Sequence, residues 1–159
     1  MKILASLATI AILLNACSPV YLVSKSEFQA IPKGTKKIVV TTTLPQDSLF
    51  TIISREFSRE GWMVKSDKPS GQISSEGKSV GSGTLLKPFV FIEGGTAYYS
   101  GEWGLDQQGQ LMLQSFAKAN TVALQPIIFE KSGVTKNDVA FQGLLLLAKK
   151  VPGDLSYSK

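Results

Sequence analysis

The sequence predicts an α+β domain: an antiparallel sheet of about five or six strands with two helices on one face. Three observations carry that prediction. The β-branched run "KKIVVTTTL" (Lys36–Leu44) leads into a stretch whose apolar residues recur at helical spacing. A central segment, "LLKPFVFIEGGTAYYSGEW" (Leu85–Trp103), reads as two strands joined by a Gly-Gly turn. Near the C-terminus, Val139–Lys150 sets Ala140, Phe141, Leu144, Leu145 and Ala148 on one helical stripe. Strand, helix, several antiparallel strands and a closing helix is an order that gathers the helices on one side.

The N-terminus is of a different character. After Lys2, the run Ile3–Leu14 carries no charge, and only Ser6 and Thr9 are polar. It is too short to cross a bilayer, which takes about 20 residues, and has the length of a signal-peptide core. Leu14-Asn15-Ala16-Cys17 ends the run and holds the one cysteine of the chain. With Leu at −3 and Ala at −1, this tetrapeptide resembles the lipobox of bacterial lipoproteins. The resemblance implies cleavage before Cys17, a diacylglycerol on its thiol and acylation of the new amine. Two or three acyl chains hold a protein on a membrane durably, whereas one holds it only marginally. Residues 1–16 are then a signal peptide, and Cys17 is the lipidation site rather than a nucleophile. Ser18 stands where Asp would favour retention at the inner membrane, so the expected destination is the outer membrane, facing the periplasm or the cell surface. With a single cysteine, stability must come from packing rather than from a disulfide.

Residues 17–36 read as a lipid-anchored tether. Its "VYLV" and Phe28 are apolar enough to dock, and Ser18 to Lys33 fully extended would reach on the order of 50 Å. A single domain then occupies 37–151. Pro45 suits a first helical turn and Asp47 suits its dipole. Leu49, Phe50, Ile53 and Phe57 line one face of a helix from about Gln46 to Glu60, and Gly61 terminates it. "WMVKS" resumes as a strand. Ser66–Gly83 is the most polar part and reads as turns around a thin strand, "QISSEGKSV". Pairing outward from Gly94-Gly95 puts Ile92 opposite Ala97, Phe91 opposite Tyr98 and Lys87 opposite Glu102. Pro88 cannot donate to a ladder, so that part of its strand should face an edge or a bulge. "QLMLQSFAKA", within Leu105–Asn120, fits a strand or a short helix, and "VALQPIIFE" reads as a strand interrupted by Pro126. Thr135 with Asp138 three residues on forms a helix start. Pro152-Gly153 ends that helix, and 152–159 reads as a polar C-terminal tail. No internal repeat is visible.

The chemistry-bearing motifs are weak. The chain has no histidine, so "GKSVG" (Gly77–Gly81) lacks the base that a nucleophile elbow requires and reads as a Gly/Ser turn. Gly71 and Gly77-Lys78-Ser79 miss the phosphate-loop spacing by one residue. Three Ser-x-x-Lys matches, at Ser75, Ser115 and Ser156, carry little among eighteen serines and fifteen lysines. Glu93 and Glu102 lie too far apart along the hairpin to act as a glycosidase pair. No metal ligands, cofactor site or catalytic residues are assigned, and an enzyme is not expected. Seventeen basic against twelve acidic residues give a net charge of +5, spread along the chain and pointing to no nucleic acid.

The hairpin carries the strongest functional signal. Phe89, Phe91 and Tyr98 point to one side, and Val90, Ile92, Ala97 and Tyr99 to the other. A sheet with helices on one face normally alternates apolar with polar. Either other segments cover the second face, or an aromatic surface is left to meet a partner. The candidate interaction face is Phe89, Phe91, Tyr98 and Tyr99.

"FTIISREFSREGWMVKSDKPSGQIS" (Phe50–Ser74) is similar to the helix-grip domains of BamC-like outer-membrane lipoproteins, accessory proteins of the barrel-assembly machinery. The resemblance implies a helix-grip-like fold, a curved antiparallel sheet around a long C-terminal helix, here Val139–Lys150. One such domain fits this chain. Besides Cys17 from the lipobox, no site residue carries over. The expected function is that of a non-enzymatic binding or scaffold lipoprotein of the cell envelope. Its partners would be the membrane, through the lipid on Cys17, and an envelope protein. The alternative is a periplasmic carrier or sensor of a lipid or other apolar small molecule, held between sheet and C-terminal helix.

Overall fold

In the computed structural model, residues 22–117 and 123–159 are described; Cys17 and the signal segment lie outside them. The elements in order are α1 (Lys25–Ala30), β1 (Lys37–Thr41), α2 (Gln46–Arg59), β2 (Val64–Asp67), β3 (Gln72–Ser75), β4 (Lys78–Ser79), β5 (Thr84–Glu93), β6 (Thr96–Leu105), α3 (Gln107–Ala117), β7 (Gln125–Pro126), α4 (Lys136–Ala148) and β8 (Asp154–Ser158). The fold is α+β. One sheet runs β2-β3-β5-β6-β1-β8, with the two-residue strands β4 and β7 attached to β5 and β6. All pairings are antiparallel.

The β5–β6 hairpin has the register read from the sequence, with Ile92 opposite Ala97, Phe91 opposite Tyr98 and Lys87 opposite Glu102. Gly94 has a φ of +57°, while Gly95 is held by close approach: a Cβ there would sit 2.4 Å from the Thr42 carbonyl oxygen. The Pro88 expectation also finds its place. Ile92 N–H donates to Gly71 O on the β3 edge. By alternation the Pro88 nitrogen faces that same edge, and it does so at the break between β3 and β4, where a donor would have no strand to meet.

Both long helices pack on one face of the sheet. Ile38, Val40, Ile73, Leu86, Val90, Ile92, Ala97 and Tyr99 form that inner face and are at most 1% exposed. Leu49, Phe50, Ile53 and Phe57 of α2 and Phe141, Leu144 and Leu145 of α4 complete the same core. Thr135 caps α4 by accepting a hydrogen bond from Asp138 N–H. The amphipathic stripe expected for α4 is only part of the picture. Residues 137–145, 147 and 148 are all buried, so the helix is covered nearly all round, with Leu146 left exposed.

The cover comes from the segment read as a tether, whose apolar residues do dock. Ser24 caps α1, and Val23, Phe28 and Ile31 enter the core. Phe28 meets Phe129 edge-on at 4.9 Å, and Phe129 meets Phe141 of α4 at the same distance. Burying these side chains outweighs the freedom that a tether would keep. The C-terminal residues also depart from expectation. Instead of a tail, β8 pairs along all of β1, from Lys37 opposite Ser158 to Thr41 opposite Asp154. Gly153 permits the reversal, since a Cβ there would lie 2.5 Å from the Thr41 carbonyl oxygen. The alternation of Leu155 and Tyr157 then turns the two apolar side chains toward the helix side, in register with Val40 and Ile38. The ambiguous stretch after Leu105 is helix α3. Asp106 starts it by accepting from Gly109 N–H at 2.9 Å, and its second carboxylate oxygen accepts from the Ser79 hydroxyl.

The Ser79 hydroxyl and then the Gly109 amide hold the Asp106 carboxyl below its usual pKa. A carboxylate whose folded pKa is depressed stabilises above its unfolded pKa, and that stability is lost as pH falls through the folded value. Asp106→Asn is therefore expected to lower the melting temperature at pH 7. The gap to wild type should close as pH drops through the carboxylate range. A gap that stays constant in a thermal series down to low pH would contradict this role.

Candidate functional site

The outer face of the sheet, opposite the helices, gathers the candidate residues. Pairing aligns side chains across neighbouring strands, so Gln72 of β3, Phe91 of β5, Tyr98 of β6 and Val39 of β1 form one row. The adjacent row runs through Ser74, Phe89 and Ser100. Phe91 and Tyr98 stack with centroids 6.2 Å apart and planes 27° apart. Phe91 is 36% exposed, and Phe89 and Tyr98 are half-buried.

Tyr99 does not belong to this face. Strand alternation turns it inward beside Ile38 and Val90, where it is fully buried. Its hydroxyl finds no hydrogen-bond partner among the described residues, and burial raises its pKa.

Next to Phe89 the outer face sinks into a groove of about 770 Å³. Its floor is Phe89, Pro88, Ser100 and Gly101. Gly101 must lack a side chain, because a Cβ would lie 2.6 Å from the Lys87 carbonyl oxygen. Pro126, Ile127 and Ile128 form one wall. Three hydrogen bonds fix that wall: Ile127 N–H to Gly101 O, Ile128 N–H to the Asn137 side-chain oxygen and Phe129 N–H to Thr35 O. Lys36, Lys37 and Lys87 stand around the groove. Lys87 is 3.9 Å from Glu102, an exposed pair of little energetic weight. Among the described residues neither Lys36 nor Lys37 has a carboxylate partner at salt-bridge distance. The groove therefore offers an apolar floor and wall with cationic edges.

The serines that matched reactive patterns are engaged locally. Ser79 donates to Asp106, Ser75 to Glu76 O, and Ser115 to Leu111 O one turn back in α3. Glu93 and Glu102 stand at opposite parts of the hairpin, opposite Thr96 and Lys87. Among the described residues, no three acidic side chains converge to hold a cation.

The groove was not read from the sequence. Lys36 and Lys37 and the wall come from segments some ninety residues apart, joined by backbone hydrogen bonds between Phe129 and the Gly34–Thr35 turn. The one local signal was Pro126, which breaks a strand beside Gly101. Compared with known families, curated proteins and solved structures, the chain gives no match.

The two faces predict different mutational costs. Phe91→Ala removes a partly exposed cross-strand partner and should cost about 1 to 2 kcal/mol. Tyr99→Ala empties a core site and should cost about 3 to 5 kcal/mol. Tyr99→Phe removes a buried hydroxyl without a partner and should raise stability by roughly 1 kcal/mol. Urea denaturation of the three variants checks the set; a Phe91→Ala cost equal to that of Tyr99→Ala would contradict the assignment of faces.

Proposed function

We propose that this protein is a non-enzymatic binding lipoprotein of the cell envelope, anchored at the outer membrane by lipid on Cys17. It holds an envelope protein through the outer face of β5 and β6. The observation that carries this reading is the stacked Phe91–Tyr98 pair, solvent-accessible on a sheet whose opposite face already holds the whole core. Aromatic residues surrounded by polar and charged neighbours are the usual centre of a protein interface, and a few of them carry most of its energy. The position of α4 against the central strands is the arrangement that a helix-grip likeness implies, and it supports the same reading.

A second reading, capture of a lipid or other apolar small molecule, draws on the groove. Its volume of about 770 Å³ falls in the range of small-molecule sites. The space between the sheet and α4 is filled by fully buried side chains, so such a ligand would lie on the outer face, with any anionic group toward Lys36 and Lys37. Native mass spectrometry of detergent-free protein separates the two, since only the second reading gives a bound small molecule.

Crosslinking in cells tests the leading reading. The double variant Phe91→Ala with Tyr98→Ala should lose its crosslinked envelope partner while staying membrane-bound and folded. Cys17→Ser should instead release an otherwise competent protein from the membrane. Unchanged crosslinking of the double variant would overturn the binding face, and a wild-type Cys17 without lipid would overturn the anchor.

A further inference from the structure

We infer that the surface around Leu22 is a second membrane contact that seats the domain on an anionic phospholipid bilayer; this rests on the reading of Cys17 as the lipid anchor. The buried Gln142 of α4 fixes where the chain leaves the domain. Its side-chain oxygen accepts from Leu22 N–H at 2.7 Å and from Val23 N–H at 3.4 Å. From Leu22 onward the backbone belongs to the fold. Cys17 is five Cα steps away, a span of at most about 18 Å however those residues are arranged. The headgroup layer takes about 5 to 8 Å of that span, so the surface beside Leu22 is kept within roughly 13 Å of the bilayer surface.

The character of that surface suits the position. Leu22, Val80, Leu146 and Leu147 line a shallow concavity of about 220 Å³ with Lys78 and Lys150 at its edge. Leu146 is 39% exposed, although every other residue of α4 from Asn137 to Ala148 is buried. An apolar side chain is thus presented to solvent from a helix that otherwise hides its residues. Among the lining residues Lys78 and Lys150 outnumber Glu60, which pairs with Lys150 at 2.6 Å, leaving an excess of one positive charge. Apolar residues flanked by lysines are what an interfacial contact with anionic lipid requires. Seating the domain this way turns the outer sheet face, across the sheet from α4, away from the bilayer. The aromatic row then points to where an envelope protein can reach it.

The lipid on Cys17 leaves the chain without a free thiol, so one added cysteine can be labelled alone. Leu146→Cys and Ser100→Cys, the latter on the outer sheet face, would each carry an environment-sensitive fluorophore. The full lipoprotein would be placed in vesicles of phosphatidylethanolamine and phosphatidylglycerol. The label at position 146 should blue-shift and become several-fold less accessible to aqueous iodide than in detergent, while the label at position 100 stays accessible. Adding Lys78→Glu with Lys150→Glu should return position 146 to solvent although the protein still floats with the vesicles. Equal quenching at both positions in floating protein overturns the seating and leaves the anchor standing. Shielding of position 146 in cells but not in vesicles overturns it in favour of a protein occupant. Failure to float, with Cys17 itself taking the label, removes the anchor and the seating together.

Discussion

The molecule is organised by the polar grip of a helix that is buried nearly all round. α4 carries three buried polar residues, and each uses its side chain to hold the backbone of another segment. Asn137 accepts from Ile128 N–H and so sets the wall of the groove. The Asp138 carboxylate accepts from the amides of Glu130, Lys131, Ser132 and Gly133 and from the Ser132 hydroxyl. Gln142 takes Leu22 and Val23. A buried carboxylate is tolerable only when its oxygens are this well satisfied, and bonds to a charged acceptor are stronger than neutral ones. The helix can therefore be covered on its far side by the N-terminal segment without stranding polar groups.

This arrangement divides the sheet into two unlike faces. One face meets α2 and α4 and contains nearly every large buried side chain. The other lies outside the helix-packed core, yet it carries Phe89, Phe91 and Tyr98 with Val39 beside them. An apolar surface beside a groove edged with lysines is the observation on which the proposed binding role rests. The same helix governs both ends of the functional reading, since Asn137 shapes the groove and Gln142 fixes the point at which the N-terminal chain enters the domain.

What the sequence revealed follows the range of the forces involved. The hairpin register was legible because a two-residue Gly-Gly turn determines every pair outward from it, and Lys87 opposite Glu102 follows from counting. α2 and the cap at Thr135 were legible because helical period and capping act within a few residues. That residues 22–31 could dock was visible in their apolar side chains, but where they dock was not, because Gln142 lies about 120 residues away and looks like an ordinary polar helix position. β8 was hidden for the same reason: its alternation is short, and its partner is the first strand of the sheet. Period put Tyr99 on the side opposite Phe91 and Tyr98 but could not say which side was core, so the candidates were drawn from both; the packing of Ile38 beside Tyr99 decides.

Native-state hydrogen exchange on the Gln142→Leu variant tests the grip of α4 most directly. Leu fills much of the same space but leaves the Leu22 and Val23 amides without their acceptor. The amides from Val23 to Ile31 should exchange about tenfold faster or more, equivalent to roughly 1.4 kcal/mol of local stability. Those of Ile38, Val40 and Tyr99 should keep their protection. Uniform acceleration across the sheet, or no change in the N-terminal segment, would contradict the account.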